Sequence, residues 1–304
     1  MNLHILSPGL QTTVQDRGRF GYQSAGIGTS GAMDQEAYAD ANYLVGNHRG
    51  EAVLEMTLLG ASIRFDGDCV CALTGADMNA TLDGTPVPRY RPFCVGEGQV
   101  LTMGYAVNGC RAYLAIQGGL EIAPVLGSRS TNLKAGLGGF QGRPLRRGDV
   151  LCAAGGIDIV YLQRKRPVPT HSQQITVDVV PGPQADAFTE TGFDTLWKQP
   201  FFLSDKSDRM GLRLDGPAIE TVSGSDIVSD GIALGSIQIT SAGQPIILMA
   251  DRQTTGGYAK IGTVCSYEIP KLAQLQSGAA IRFRERTVEQ AQRLLRRKKW
   301  RFRP

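Results

Sequence analysis

"PIILMADRQTTGGY", residues 245–258, decides how this chain reads. Pro245 to Ala250 is an apolar run with the aliphatic content of a buried strand. It leads straight into Asp251, Arg252, Gln253, Thr254 and Thr255, then two glycines and Tyr258. Five consecutive hydrogen-bonding side chains at the end of a buried strand are unusual for a packing element. Such residues cap a barrel mouth or line a site.

Short strands and turns dominate the rest of the chain. "MNATLDGTPVP" sets Asp83-Gly84 between two extended runs, the strongest local hairpin signature. "ASIRFDGDCVCALTG" alternates around Ile63 and Phe65, turns at Asp66-Gly67 and continues as an apolar strand. "GCRAYLAIQGG", "IDIVYLQ", "ITVDVVPG", "IQITSAGQPIILMA" and "AAIRFRE" read as further strands. The spacing of turns predicts a mainly β chain of sandwich or barrel type.

Helices are few. "MDQEAYADANYLVGN" puts Ala37, Ala41, Leu44 and Val45 on one face and stops at Gly46-Asn47. "PQADAFTETGFDTLWKQ" holds two short helices. Near the end, Thr287 and Gln290 form a capping box ahead of Val288, Ala291, Leu294 and Leu295. A basic cluster with two prolines in "QRKRPVPTHSQQ" (163–174) marks a boundary. The expected domains are therefore 1–168, 169–286 and a basic helix or tail, 287–304.

The composition narrows the function classes. Of 304 residues, 38 are glycine, which suits many tight turns. The net charge of +4 is unevenly placed: Arg284 to Pro304 holds nine basic and two acidic residues, leaving about −3 on the body. The basic tail suits a solvated terminal helix, and nothing in the body predicts nucleic-acid or membrane binding. No apolar run approaches the ~20 residues a bilayer span needs, and the start lacks a secretory pattern. The cytoplasm is the expected compartment. Six cysteines follow no zinc or disulfide spacing, and His4, His48 and His171 lie beside no Ser or Cys in a nucleophile-elbow context. Neither a triad nor a metal hydrolase is predicted. "KAGLGGFQG" lacks the third glycine of a dinucleotide fingerprint, because Gln141 stands there.

What remains is positioning by Arg, Asp, Gln, Thr, Tyr and backbone N–H. Two segments share that chemistry: "QTTVQDRGRFGYQSAGIGTSGAMD" (11–34) and the opening stretch. In the first, Asp16, Arg17 and Arg19 sit among glycines that let backbone N–H groups meet an anion. Ser30 and Asp34 lead into a helix, where they also suit a cap. Arg129 in "GSRSTN" can clamp a carboxylate or serve the surface. Arg209, Arg213, Asp230 and Gln238 add to Asp251 and Arg252 as a polar barrel mouth, or pair among themselves.

"GLQTTVQDRGRFGYQSAGIGTSGAMD", "LTGADM", "RAYLAIQGGLE", "GSRST", "DRMGLRL", "GSIQI" and "GQPIILMADRQTTGGYAKIGTV" occur in this order. Together they resemble the family variously called allophanate hydrolase subunit 2, KipA-like, or the C subunit of 5-oxoprolinase. The resemblance runs from about residue 3 to residue 285. It implies two domains, the C-terminal one a cyclophilin-like β-barrel. It implies partners: a smaller companion KipI-like protein, the B subunit of such complexes, and an A subunit. The implied activity is cleavage of 5-oxoproline to glutamate by a complex that uses ATP, with no covalently bound cofactor. The alternatives are antagonism of a histidine-kinase inhibitor and carboxyl transfer to a urea-like amide. On this reading Asp251 and Arg252 are catalytic and orient a small amide substrate. Gln15, Asp16, Arg19, Tyr22, Ser30 and Asp34 bind it from the first half, with Arg129. Arg209, Gln238, Thr254, Thr255 and Tyr258 do so from the second.

Overall fold

A computed structural model describes residues 1–301; the side chains of residues 159 and 299–301 lie outside the description, as do Phe302, Arg303 and Pro304 of the expected tail. The chain divides into two compact units, residues 1–22 with 29–171, and residues 23–28 with 172–304.

Two antiparallel sheets build the first unit. One runs in the order Val150–Cys152, Asn2–Ser7, Ser62–Phe65, Val100–Thr102, Thr81–Leu82, Thr85–Pro86. The other runs Gln11–Gln15, Val53–Thr57, Asn108–Ile116, Cys69–Asp77, Pro92–Val95. Leu3, Ile5, Ile63 and Phe65 of one sheet share a buried core with Val14, Leu54, Met56 and Leu114 of the other. The turn at Asp66-Gly67 therefore carries the chain from one sheet to the other. Asp83 (φ 47°) and Gly84 (φ 82°) close the hairpin that the sequence predicts, both in the left-handed region that tight two-residue turns require.

The period-2 alternation of the second sheet gives it another buried face. Val53, Val70, Ala72, Tyr113 and Ala115 point away from the sandwich core and pack on the helix Gln35–Leu44, through Ala37, Tyr38, Ala41 and Leu44. The helix stops where Gly46 (φ 77°) turns the chain. One expected strand fails: "IDIVYLQ" forms a 3-10 turn, Ile159–Gln163. Asp158 accepts the Val160 N–H and starts the turn, and the Arg164 guanidinium stacks on the Tyr161 and Tyr43 rings. Its apolar residues suit either structure, and the capping aspartate decides.

Seven strands close a barrel in the second unit: Gln174–Pro181, Lys260–Val264, Ser236–Ile239, Pro245–Leu248, Gly211–Asp215, Phe201–Leu203 and Ala280–Glu285. The last pairs in parallel with the first, from Gln174 opposite Ala280 to Val179 opposite Glu285, and so closes the ring. Val177, Ile237, Ile247, Ile261, Phe201 and Phe283 are buried. A separate two-stranded ribbon, Asp226–Gly231 with Thr255–Tyr258, adjoins it in the chain. The helix Glu190–Lys198 is capped by the Thr189 hydroxyl, which accepts the Gly192 N–H. The terminal helix, Val288–Arg301, opens on the expected box, with Thr287 and Gln290 bonded reciprocally. No helix among the described residues is long and apolar enough to cross a membrane.

Candidate functional site

On the helix-bearing face of the second sheet, Thr13, Glu55, Tyr113 and Thr74 stand side by side on adjacent strands, all buried. This polar row docks the chain that enters the helix. Glu55 accepts the Met33 N–H at 2.8 Å, and the Tyr113 hydroxyl accepts that of Asp34 at 2.8 Å. Thr74 donates to the Ala37 carbonyl at 2.7 Å. The Asp34 carboxylate caps the helix through the N–H groups of Glu36 and Ala37. Burial, reinforced by Glu55 and Asp34, pushes the Tyr113 hydroxyl well above its ordinary pKa, so it keeps its proton. Ser30 bends this turn at φ 52°. Its hydroxyl and the Gln15 carbonyl oxygen Oε1 are buried with no hydrogen-bond partner among the described residues. Gln15 Nε2 is engaged, by Thr13 Oγ1 and the Thr131 carbonyl.

Asp16 and Arg19 serve the backbone around them. The Asp16 carboxylate accepts from the Ser128 and Ser130 hydroxyls and from the N–H groups of Gly18 and Arg129. Arg19 is fully buried and donates to the carbonyls of Val125, Ser128 and Ser130. Around this cage the glycine-rich loop closes tightly. A Cβ on Gly138 would lie 2.3 Å from the Ser130 carbonyl oxygen, and one on Gly139 only 1.8 Å from the Thr131 hydroxyl. Gly138, Gly139 and Gly142 of "GLGGFQG" thus have a packing reason. Arg129 donates to the Ile122 carbonyl and lies 3.8 Å from Glu51, while Tyr22 is half-buried.

In the second unit, Arg209 forks onto Asp251, with Nε 2.9 Å from Oδ2 and Nη2 3.2 Å from Oδ1, both side chains buried. Arg252 donates to the carbonyls of Ile232 and Met249, and burial lowers its pKa. The Ile232 N–H in turn donates to the Thr254 carbonyl, so Arg252 ties the end of the Pro245–Leu248 strand to the base of the ribbon. Thr255 and Tyr258 are the ends of one ribbon strand. Gln238 donates to the Tyr258 carbonyl at 3.0 Å. "DRQTTGGY" is therefore a barrel rim that turns into a ribbon.

The sequence-predicted residues fall into two groups. Gln15, Asp16, Arg19, Tyr22, Ser30, Asp34 and Arg129 lie in the first unit, and Arg209, Gln238, Asp251, Arg252, Thr254, Thr255 and Tyr258 in the second. Sequence reasoning passed over Glu55, Tyr113 and Lys260. Glu55 and Tyr113 interrupt the apolar strands "VLEMT" and "CRAYLAI", Lys260 opens "KIGTV", and a polar residue in or at the head of an apolar run was the available signal.

A family model described as carboxyltransferase domain, subdomain A and B, matches residues 25–285. The chain is 38% identical to the C subunit of 5-oxoprolinase from Escherichia coli (strain K12) over 290 residues, 95% of this chain and 93% of that one. It is 36% identical to the corresponding 5-oxoprolinase C subunit of Haemophilus influenzae over 294 residues, covering 97% and 94% of the two chains. Among solved structures, it superposes on the K. lactis urea amidolyase with a TM-score of 0.91 at 30% identity, covering 98% of this chain and 19% of that one.

Proposed function

The chain belongs to the carboxyltransferase-domain family, and from that premise we propose that it is one component of an ATP-dependent 5-oxoprolinase complex. The complex opens the lactam of 5-oxo-L-proline to L-glutamate in the cytoplasm, and this chain acts with a smaller companion protein, the B subunit, and with an A subunit. The observation that carries this reading is the 38% identity running across 93% of a 5-oxoprolinase C subunit, nearly the whole of that protein.

The barrel, read as cyclophilin-like, supplies the site from its rim. A lactam C–N bond is stabilised by resonance, and its hydrolysis needs the carbonyl polarised and the N–H held. A carboxylate has about four lone-pair positions, and the Arg209 fork takes one on each Asp251 oxygen. A remaining position accepts the lactam N–H. Arg252 fixes the rim against the ribbon and presents positive charge to the carbonyl oxygen. Gln238, Thr254, Thr255 and Tyr258 surround the ring, and ATP drives the opening.

The test is glutamate formation from 5-oxo-L-proline and ATP, by this chain alone and then with its companion proteins. Activity is expected only in the full mixture, with loss in Asp251→Ala and Arg252→Ala complexes that still assemble. An assembled complex without turnover, or full activity in both variants, contradicts the reading.

A second reading is favoured by the TM-score of 0.91 against a urea amidolyase: carboxyl transfer to a urea-like amide. It predicts consumption of carboxybiotin in place of glutamate formation.

A further inference from the structure

Lys260 occupies the barrel strand Lys260–Val264, opposite Gln238, between the buried Ala259 and Ile261. Its side chain is 4% exposed. An ammonium group taken out of water needs a partner, since the unpaired ion costs several kcal/mol. The barrel wall does not provide one. The partner is Asp230 on the ribbon, 2.6 Å away, with the Gly231 carbonyl at 3.1 Å. The third ammonium proton has no acceptor among the described residues.

The pair is inverted relative to the other ion pairs described in its unit. Arg209 and Asp251 are both buried. Where Arg284, Arg286 and Lys271 meet Asp178 and Glu268, the buried partner is the anion. Lys198 and Asp194 are both exposed. In Lys260–Asp230 alone the cation is buried while the anion is 54% exposed. Lys260, first among several partners, draws the Asp230 carboxyl below the usual carboxylate range.

The carrier of that anion is lightly supported. Strand Asp226–Gly231 is almost wholly exposed, with Val228 at 92%, and its pairing with Thr255–Tyr258 shifts register between Asp226 and Asp230. Apart from Lys260, the Asp230 carboxylate meets only the Gly231 N–H and a long contact from Gln184 at 3.4 Å among the described residues. A fixed, buried cation thus faces a counterion on the most exposed strand of the barrel unit. Such a counterion can be exchanged.

We propose that Lys260, at the head of its barrel strand, is a carboxylate-binding residue, occupied by Asp230 until a ligand carboxylate displaces it and the ribbon moves aside. The identity of that ligand rests on the function proposed above. 5-Oxo-L-proline carries a lactam for the rim and a carboxylate for Lys260, so the two ends would be held by different groups.

The test is calorimetric titration of the full chain with 5-oxo-L-proline, with 2-pyrrolidone, which keeps the lactam and lacks the carboxylate, and with acetate. Removing the internal competitor should help the ligand. Asp230→Asn is expected to bind 5-oxo-L-proline at least about 10-fold tighter than the wild type, as removal of an occupying conformer does. Lys260→Met should weaken that binding at least about 10-fold, and neither change should alter binding of 2-pyrrolidone. An Asp230→Asn variant that binds 5-oxo-L-proline and acetate no more tightly than the wild type overturns the proposal, whether or not Lys260→Met folds. If Asp230→Asn tightens acetate but not 5-oxo-L-proline, the carboxylate site stands and the 5-oxoprolinase reading falls.

Discussion

The glycine-rich segment of the first unit and the barrel rim of the second are built from the same residues and use them in opposite ways. Both contain a Thr-Thr pair, Asp, Arg, Gln, glycines and Tyr. In the first, Asp16 and Arg19 spend their hydrogen bonds on the serines and carbonyls of residues 125–131, and the nearby glycines let that loop pack against them. In the second, Asp251 and Arg252 hold a rim from which a ribbon extends, and a buried lysine reaches an exposed aspartate. A dense polar-glycine segment is thus a staple where its charges end on the unit's own backbone. The barrel unit adds a pair in which a buried cation meets an exposed anion, Lys260 with Asp230.

That contrast breaks most easily at the staple. Asp16→Ala strands several buried donors and should destabilise the first unit by at least about 3 kcal/mol, read as a lowered urea midpoint. A cost below about 1 kcal/mol would put Asp16 back among ligand-facing groups. Gly139→Ala should be comparably severe, since its Cβ has no room beside Thr131.

Asp40 of the first unit and Asp178 of the second respond to burial in opposite ways. Burial raises the Asp40 carboxyl from 3.8 to about 6, with Arg166 only partly opposing it. A raised folded pKa gives stability that is complete below 3.8 and lost as pH climbs through about 6. Asp40→Asn should therefore gain about 2 kcal/mol above pH 6 and nothing below pH 4, measured as stability against pH. Asp178 behaves in reverse. Burial alone would raise it, but Arg284, Tyr267 and Arg286 hold it below the usual range. Its contribution is present above the ordinary carboxylate value and disappears as pH falls through the lowered one. In Asp178→Asn the acid limb of the unfolding curve should flatten. An unchanged limb would remove this difference between the units.

The smallest effects belong to the ribbon. Val228→Ser should stay within about 0.5 kcal/mol. Larger losses in thermal melts would mean that the ribbon is part of the folded core.

The legible parts of the fold were local. The Asp83-Gly84 hairpin, the helix that stops at Gly46 and the Thr287/Gln290 box each depend on residues within a few positions of one another. "IDIVYLQ" misled because β-branched and aromatic content suits several backbones, and the Asp158 cap outweighed it. The ribbon strand Asp226–Gly231 carries no apolar alternation and gave no strand signal. At the site, the opening stretch announced itself by composition, but the partners did not. Asp16 meets Ser130 across 114 residues of chain and Lys260 meets Asp230 across 30. Pairings at that separation are set by sheet register, which a single sequence does not display.

The most direct measurement is steady-state glutamate formation from 5-oxo-L-proline and ATP by the assembled complex, comparing Asp251→Asn with Asp16→Asn at equal amounts of folded protein. Asp251→Asn should lower kcat/KM by at least about 100-fold, while Asp16→Asn, though less stable, should stay within about 3-fold of the wild type. Turnover lost in Asp16→Asn and kept in Asp251→Asn would reverse the assignment of staple and site, and an inactive wild-type complex would remove the proposed reaction.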